Sequence, residues 1–88
     1  MLEYHAAYYI IEDGWYMGKV LDFPGVVTQG KNLDHARFML RDALTEMAMW
    51  YLERGEPLPL PRKRVTDRKA EVLEPIRLGV RAKSGVSR

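Results

Sequence analysis

The sequence contains no cysteine, which excludes disulfides, zinc–thiolate sites and thiol catalysis. Histidine is limited to His5 and His35, so neither a histidine-rich metal site nor any other metal or cofactor is expected. Serine occurs only as Ser84 and Ser87, close to the C-terminus and without a placed histidine partner. A serine nucleophile therefore has no support. The glycines are scattered rather than grouped into a phosphate-binding loop. No apolar run approaches the roughly 20 residues of a membrane span. Met1-Leu2-Glu3-Tyr4 lacks the basic-then-apolar layout of a signal peptide, so no membrane contact and a cytoplasmic location are expected. Asn32 and Gln29 are the sole side-chain amides, a composition compatible with a heat-adapted source.

What remains is 88 residues with 47% apolar and 30% charged content, enough for one small domain with a thin core. Small cores lean on disulfides, metals or oligomerisation. With disulfides excluded and no metal site expected, self-association as a dimer or tetramer is the expected supplement. The net charge of +2 conceals a division. Residues 1–61 carry five Lys/Arg against nine Asp/Glu, and residues 62–88 carry nine against three. The densest basic stretch is Arg62, Lys63, Arg64, Arg68 and Lys69, five cations within eight residues. Such a run either contacts a polyanion, DNA or RNA, or solubilises and folds back on the acidic body or a sister subunit.

Residues 2–11 have the composition of a strand, with Leu2, Tyr4, Ala6, Tyr8 and Ile10 on one face at period two. The other face, Glu3, His5, Ala7, Tyr9 and Ile11, is half apolar. That face calls for a cover, and a second subunit is the expected one. Glu12-Asp13-Gly14 is a turn leading to a strand over 15–21. A three-residue loop with Gly14 in the left-handed region pairs Ile10 with Tyr16, Tyr8 with Gly18 and Ala6 with Val20. A two-residue loop pairs Tyr8 with Lys19 and pulls that lysine toward the core, so the first register is preferred. Asp22-Phe23-Pro24-Gly25 has the proline and glycine placement of a type II turn. A short strand over 26–29 follows, stopped by Gly30.

The period then changes. Asn32 can cap a helix, and Asp34 suits its first turn. Leu33, Ala36, Leu40, Ala43, Leu44, Met47 and Tyr51 recur at helical spacing. Arg54-Gly55 closes a helix of about 33 Å at 1.5 Å per residue. Its last turns, Met47 to Leu52, are apolar nearly all round, which a single thin sheet cannot cover. Pro57, Pro59 and Pro61 space an extended linker that leads the chain off the helix. It could also be a ligand for a proline-recognising domain. Ile76, Leu78 and Val80 alternate with Arg77, Gly79 and Arg81 in a last strand over 72–81, which Pro75 restricts to an edge or to starting there. The expectation is an α+β fold of order β-β-β-α-β, an antiparallel sheet with one long helix on one face. One domain spans 1–81, including a proline-rich and basic linker over 56–71, and 82–88 form a flexible basic tail.

No constellation for catalysis emerges. His5 is expected to be a solvent-facing strand residue and His35 part of a local helix cap. Asp22 is expected to bond nearby backbone amides. Trp15, Tyr16, Trp50 and Tyr51 could stack bases, but they sit within the apolar patterns and fit core or subunit contacts better. Tyr9, Ile11, Met49 and Trp50 are the candidate oligomer contacts.

Taken together, Glu12-Asp13-Gly14-Trp15-Tyr16, Val20-Leu21-Asp22-Phe23-Pro24-Gly25, Val26-Val27-Thr28-Gln29-Gly30, Asn32-Leu33-Asp34-His35-Ala36 and the exit Gly55 to Pro61 have a familiar order and spacing. Residues 4–61 resemble the HicB-like antitoxin family, and 72–81 are similar to the closing strand of its short members. The resemblance implies a partial ribonuclease-H-like fold without catalytic carboxylates, self-association, and binding of a small basic toxin, HicA, that cleaves messenger RNA. It makes Asp13, Gly14, Asp22, Pro24, Gly25, Gly30, Asn32 and Ala36 structural residues. Full-length members carry a C-terminal DNA-binding module. Residues 82–88 are too few for one, so autoregulation by that route is not expected. The acidic body would complement a cationic toxin, with Glu12, Asp13 and Asp22 as candidate toxin contacts. The alternative function is an oligomeric nucleic-acid-binding regulator using Arg62, Lys63, Arg64, Arg68 and Lys69.

Overall fold

A computed structural model describes residues 2–79. Its elements are β1 (Leu2–Ile10), a short 3-10 turn (Glu12–Gly14), β2 (Tyr16–Val20), β3 (Val27–Gly30), α1 (Leu33–Glu53) and β4 (Val72–Leu78). The four strands form one antiparallel sheet in the order β3-β2-β1-β4. The α+β class and the β-β-β-α-β order are as expected. The last strand ends at Leu78 and does not include Gly79, and the rest of its expected span to Arg81 and the tail 82–88 lie outside the described residues.

The β1–β2 hairpin has the preferred register: Ile10 pairs with Tyr16, Tyr8 with Gly18 and Ala6 with Val20. Lys19 sits opposite Ala7, clear of the core. The loop needs two left-handed residues rather than one. Asp13 (φ 58°) shares that region with Gly14 (φ 78°), and aspartate tolerates it better than most side chains. At the next turn, the Val26 N–H donates to the Phe23 carbonyl at 3.4 Å across Pro24-Gly25, with Gly25 at φ 90°. The turn aims Phe23 inward, where it meets Tyr4 edge-on at 5.2 Å and Tyr51 at 5.4 Å.

Helix α1 begins as expected. The Asn32 side chain accepts from the His35 N–H at 2.8 Å, and His35 Nδ1 accepts from the Lys31 N–H at 3.0 Å. The helix ends with the Gly55 N–H on Leu52 O and the Glu56 N–H on Tyr51 O, a Schellman closure that Gly55 permits at φ 70°. Ala36, Leu40, Leu44 and Ala48 face the sheet and are buried with Tyr4, Ala6 and Tyr8. The helix start lies almost on β3. A Cβ on Gly30 would stand 2.3 Å from the Ala36 nitrogen, so only glycine allows that approach.

Along β1 the second face of the sheet is covered in part by the chain itself, while Val27 and Leu73 on the same face stay exposed. Residues 62–71 form a strap held at several points along β1. The Arg62 N–H donates to Asp22 beside His5 at 3.1 Å. The Tyr9 hydroxyl donates to Asp67 at 2.8 Å, and the Glu71 N–H donates to Tyr8 O at 2.7 Å. Ala7, between His5 and Tyr9 on that face, is fully buried. The segment read as a linker is thus docked. Upstream, Leu58 packs on the core and the Tyr4 hydroxyl donates to Pro59 O at 2.6 Å.

The two sheet edges differ. The His5 main chain faces β2, because its carbonyl accepts from Leu21 N–H and its N–H points to Asp22. Its partner Pro75 therefore turns its backbone nitrogen away from β1, toward the open side. On β3, the Val20 N–H bonds Val26 O, so Val27 and Gln29 point their backbone groups outward. Proline blunts the β4 edge, and β3 keeps its donors.

Candidate functional site

The most enclosed polar group is Asp22, whose side chain has no exposed surface. It accepts from the His5 N–H at 2.9 Å, from His5 Nδ1 at 2.8 Å and from the Arg62 N–H at 3.1 Å. Burial opposes ionisation, but these donors, led by the His5 N–H, outweigh it and hold the carboxyl below its usual range. Asp22 is therefore a joint between β1, the proline–glycine turn and the strap. Enclosure removes it from the candidate toxin contacts. His5 is not the solvent-facing residue expected, because its ring is the third arm of this joint. His35 is the cap residue expected.

Glu12 and Asp13 do reach solvent, at the tip of the hairpin. Ile11 and Trp15 pair there through the Ile11 N–H on Trp15 O at 2.8 Å. Ile11, Trp15, Glu12, Asp13 and Gln29 line one open cleft. The tip thus combines two carboxylates with exposed apolar side chains. The spacing argument singled out the acids but placed Trp15 in the apolar pattern; its pairing with Ile11 across a three-residue loop was the signal available.

The outer face of α1 is the second exposed surface. Met49 and Trp50 are 40% and 49% exposed, as candidate oligomer contacts should be, but Phe38 at 59% and Leu52 at 51% accompany them. Phe38, Thr45, Met49 and Leu52 recur at helical spacing opposite the core-facing residues. A helical projection of the sequence would have found Phe38 and Leu52. The Arg54 guanidinium lies 4.6 Å over the Trp50 ring. Of the other candidates, Ile11 is exposed at the tip. Tyr9 is half-buried under the strap and engaged with Asp67, which leaves little of it for a subunit contact.

Arg62, Lys63, Arg64, Arg68 and Lys69 are all exposed and lie together on the strap. Tyr9 lies under this region and Tyr8 on the helix side of the sheet: burial first, then Asp67 for Tyr9 and Glu74 for Tyr8, push each phenol up to about 12. Among the described residues, no group of three or more His, Asp or Glu is placed to hold a metal. No helix among them is long and apolar enough to cross a membrane.

Comparisons with known proteins bear on these surfaces. A family model described as UPF0150-like matches residues 4–59, the span that carries the motif order. No curated protein matches the chain. Among solved structures, the N-terminal domain of the Burkholderia pseudomallei antitoxin HicB matches with a TM-score of 0.74 and 23% identity. That match covers 89% of this chain and 99% of that one. The resemblance read from the motifs is thus borne out in fold, and the hairpin, proline–glycine turn and capped helix fall within the matched family span. The chain belongs to the UPF0150-like family.

Proposed function

We propose that this chain is a HicB-like antitoxin: a non-enzymatic inhibitor that binds and neutralises a small basic, mRNA-cleaving toxin of the HicA type. The observation that carries the reading is the correspondence of the fold to nearly the whole N-terminal domain of an antitoxin HicB. The hairpin tip supports it, because Glu12 and Asp13 beside Trp15 and Ile11 offer charge complementarity around an apolar anchor. Such an inhibitor works where messenger RNA is translated, in the cytoplasm. The outer face of α1, with Phe38, Met49 and Leu52 exposed, together with the exposed Trp50 on the flank beside Val27, supports self-association as a dimer or tetramer through the helix.

The test is co-expression with the small basic protein encoded beside the gene, scored by cell growth and by co-purification. Rescue of growth by the parent chain and its loss with Glu12→Lys plus Asp13→Lys are expected. A neighbouring toxin whose effect the parent chain leaves unchanged would refute the antitoxin reading. Full rescue by the charge-reversed variant would refute only the placement of the interface.

A further inference from the structure

We propose that the strap over residues 62–69 is a binding surface for the phosphate backbone of nucleic acid, with little sequence preference. This goes beyond toxin inhibition and uses a different face of the molecule.

The way the strap is attached carries the argument. A basic segment that merely folded back on an acidic body would spend its cations on that body. Here the attachment uses none of them. The pins are the Arg62 main-chain N–H on Asp22, the Asp67 carboxylate on the Tyr9 hydroxyl, and the Glu71 main-chain N–H on Tyr8 O. Val65 is half-buried beside His5, Leu73 and Pro75. Arg62, Lys63, Arg64, Arg68 and Lys69 form no ion pair among the described residues. Of the four described arginines elsewhere, three are engaged, Arg37 with Asp34 and Glu74, Arg54 with Glu56 and Arg77 with Glu3, and Arg41 is not.

Five free cations on an anchored backbone are a prepaid arrangement, since folding has already met the ordering cost that a loose tail meets on binding. The side chains present also choose the partner. Protein interfaces centre on aromatic and apolar anchors, and membrane-surface segments insert apolar residues. Within 62–69 the exposed positions offer cations and Thr66 alone, with Val65 turned toward the sheet, and the exposed acid Glu71 lies at the strap's far end. Such a surface suits phosphates, and phosphate contacts position without specifying sequence.

The test is fluorescence anisotropy with the whole chain and two probes, a labelled DNA duplex and a labelled single-stranded RNA of about 20 nucleotides each. Five phosphate contacts give a slope of log K against log salt of about −4.5 on duplex and about −3.5 on a single strand. Between 50 and 200 mM salt, that is a loss of a few hundred-fold or about a hundred-fold. Two unrelated probe sequences should bind alike. Replacing the five cations by alanine should abolish binding with the circular dichroism spectrum unchanged. The pair Arg64→Glu and Arg68→Glu, solvent-facing and outside the pins, should do the same should the larger variant fold poorly. Replacing Arg81, Lys83 and Arg88 by alanine should leave most of the affinity. No binding at 50 mM salt, a salt-insensitive complex, or binding that survives loss of the strap cations would overturn the proposal.

Discussion

Asp22 and His5 are joined twice: the carboxylate accepts the His5 main-chain N–H at 2.9 Å and the ring Nδ1 at 2.8 Å. A third donor, the Arg62 N–H, brings in the strap from 40 residues away. One carboxylate thus fastens β1, the turn after β2 and the chain after the helix. Asp22→Ala would leave enclosed N–H groups unpaired and cost about 3 kcal/mol. For a chain this small, that lowers Tm by roughly 12 °C or more. Asp22→Asn should also destabilise, because its amide turns a donor toward other donors. Thermal denaturation of both variants checks this.

The same joint sets an acid limit. The folded pKa of Asp22 lies below the ordinary 3.8, so the unfolded chain takes up the proton more readily. Its contribution is complete above the unfolded value and is lost as pH falls through the lower folded one. Stability followed by urea titration should be flat from neutral pH to about pH 5 and decline below about pH 4. In Asp22→Ala the decline should be shallower.

At high pH Tyr9 reports on the strap and Tyr8 on the core beneath the helix. Tyr8 and Tyr9 are held near 12, so stability linked to them is complete below about pH 10 and is lost as pH rises through 12. Ultraviolet titration of the folded protein should show late-ionising phenols. Tyr9→Phe should remove one, cost about 1 kcal/mol, and leave the Tyr8 transition in place.

Gly30 and Gly55 separate close packing from backbone freedom. Alanine at Gly30 would collide with the Ala36 backbone, which cannot yield as a side-chain tip can. A loss of about 3 kcal/mol is expected. Alanine at Gly55 meets nothing within 4 Å and has only φ 70° to bear, a cost of about 1 kcal/mol. Chemical denaturation that ranked these in the opposite order would contradict the helix placement.

Self-association through α1 has its own signature. Phe38→Glu with Leu52→Glu should yield monomer by light scattering after size exclusion, with unchanged helicity. The control His5→Ala, half-buried on the other face of the sheet, should weaken folding without shifting the mass of the folded fraction.

Local chemistry made much of this legible. The hairpin register followed from Asp13-Gly14 and from keeping Lys19 outside the core, and the helix bounds from Asn32 and Gly55. The α+β arrangement followed from the change of period after Gly30. What stayed hidden is long-range. Nothing around Asp22 announces His5, 17 positions before it, or Arg62. The strap is held by Val65, the Asp67 carboxylate and main-chain bonds, so it has no periodicity to read. The need for a cover was visible in Ala7 and Tyr9, and its source was not. Gly30 read as a strand stop because the clearance it provides belongs to the helix packed against it.

Pro75 gives the sheet a direction of growth. A visiting strand finds donors at Val27 and Gln29 on one margin and a missing donor on the other. On the β4 margin Leu73 and Arg77 also turn their backbone groups outward, and Pro75 breaks that row of donors at its middle. A pairing that needs an unbroken ladder is therefore directed to β3, and two copies joined there would present their interrupted margins to any third.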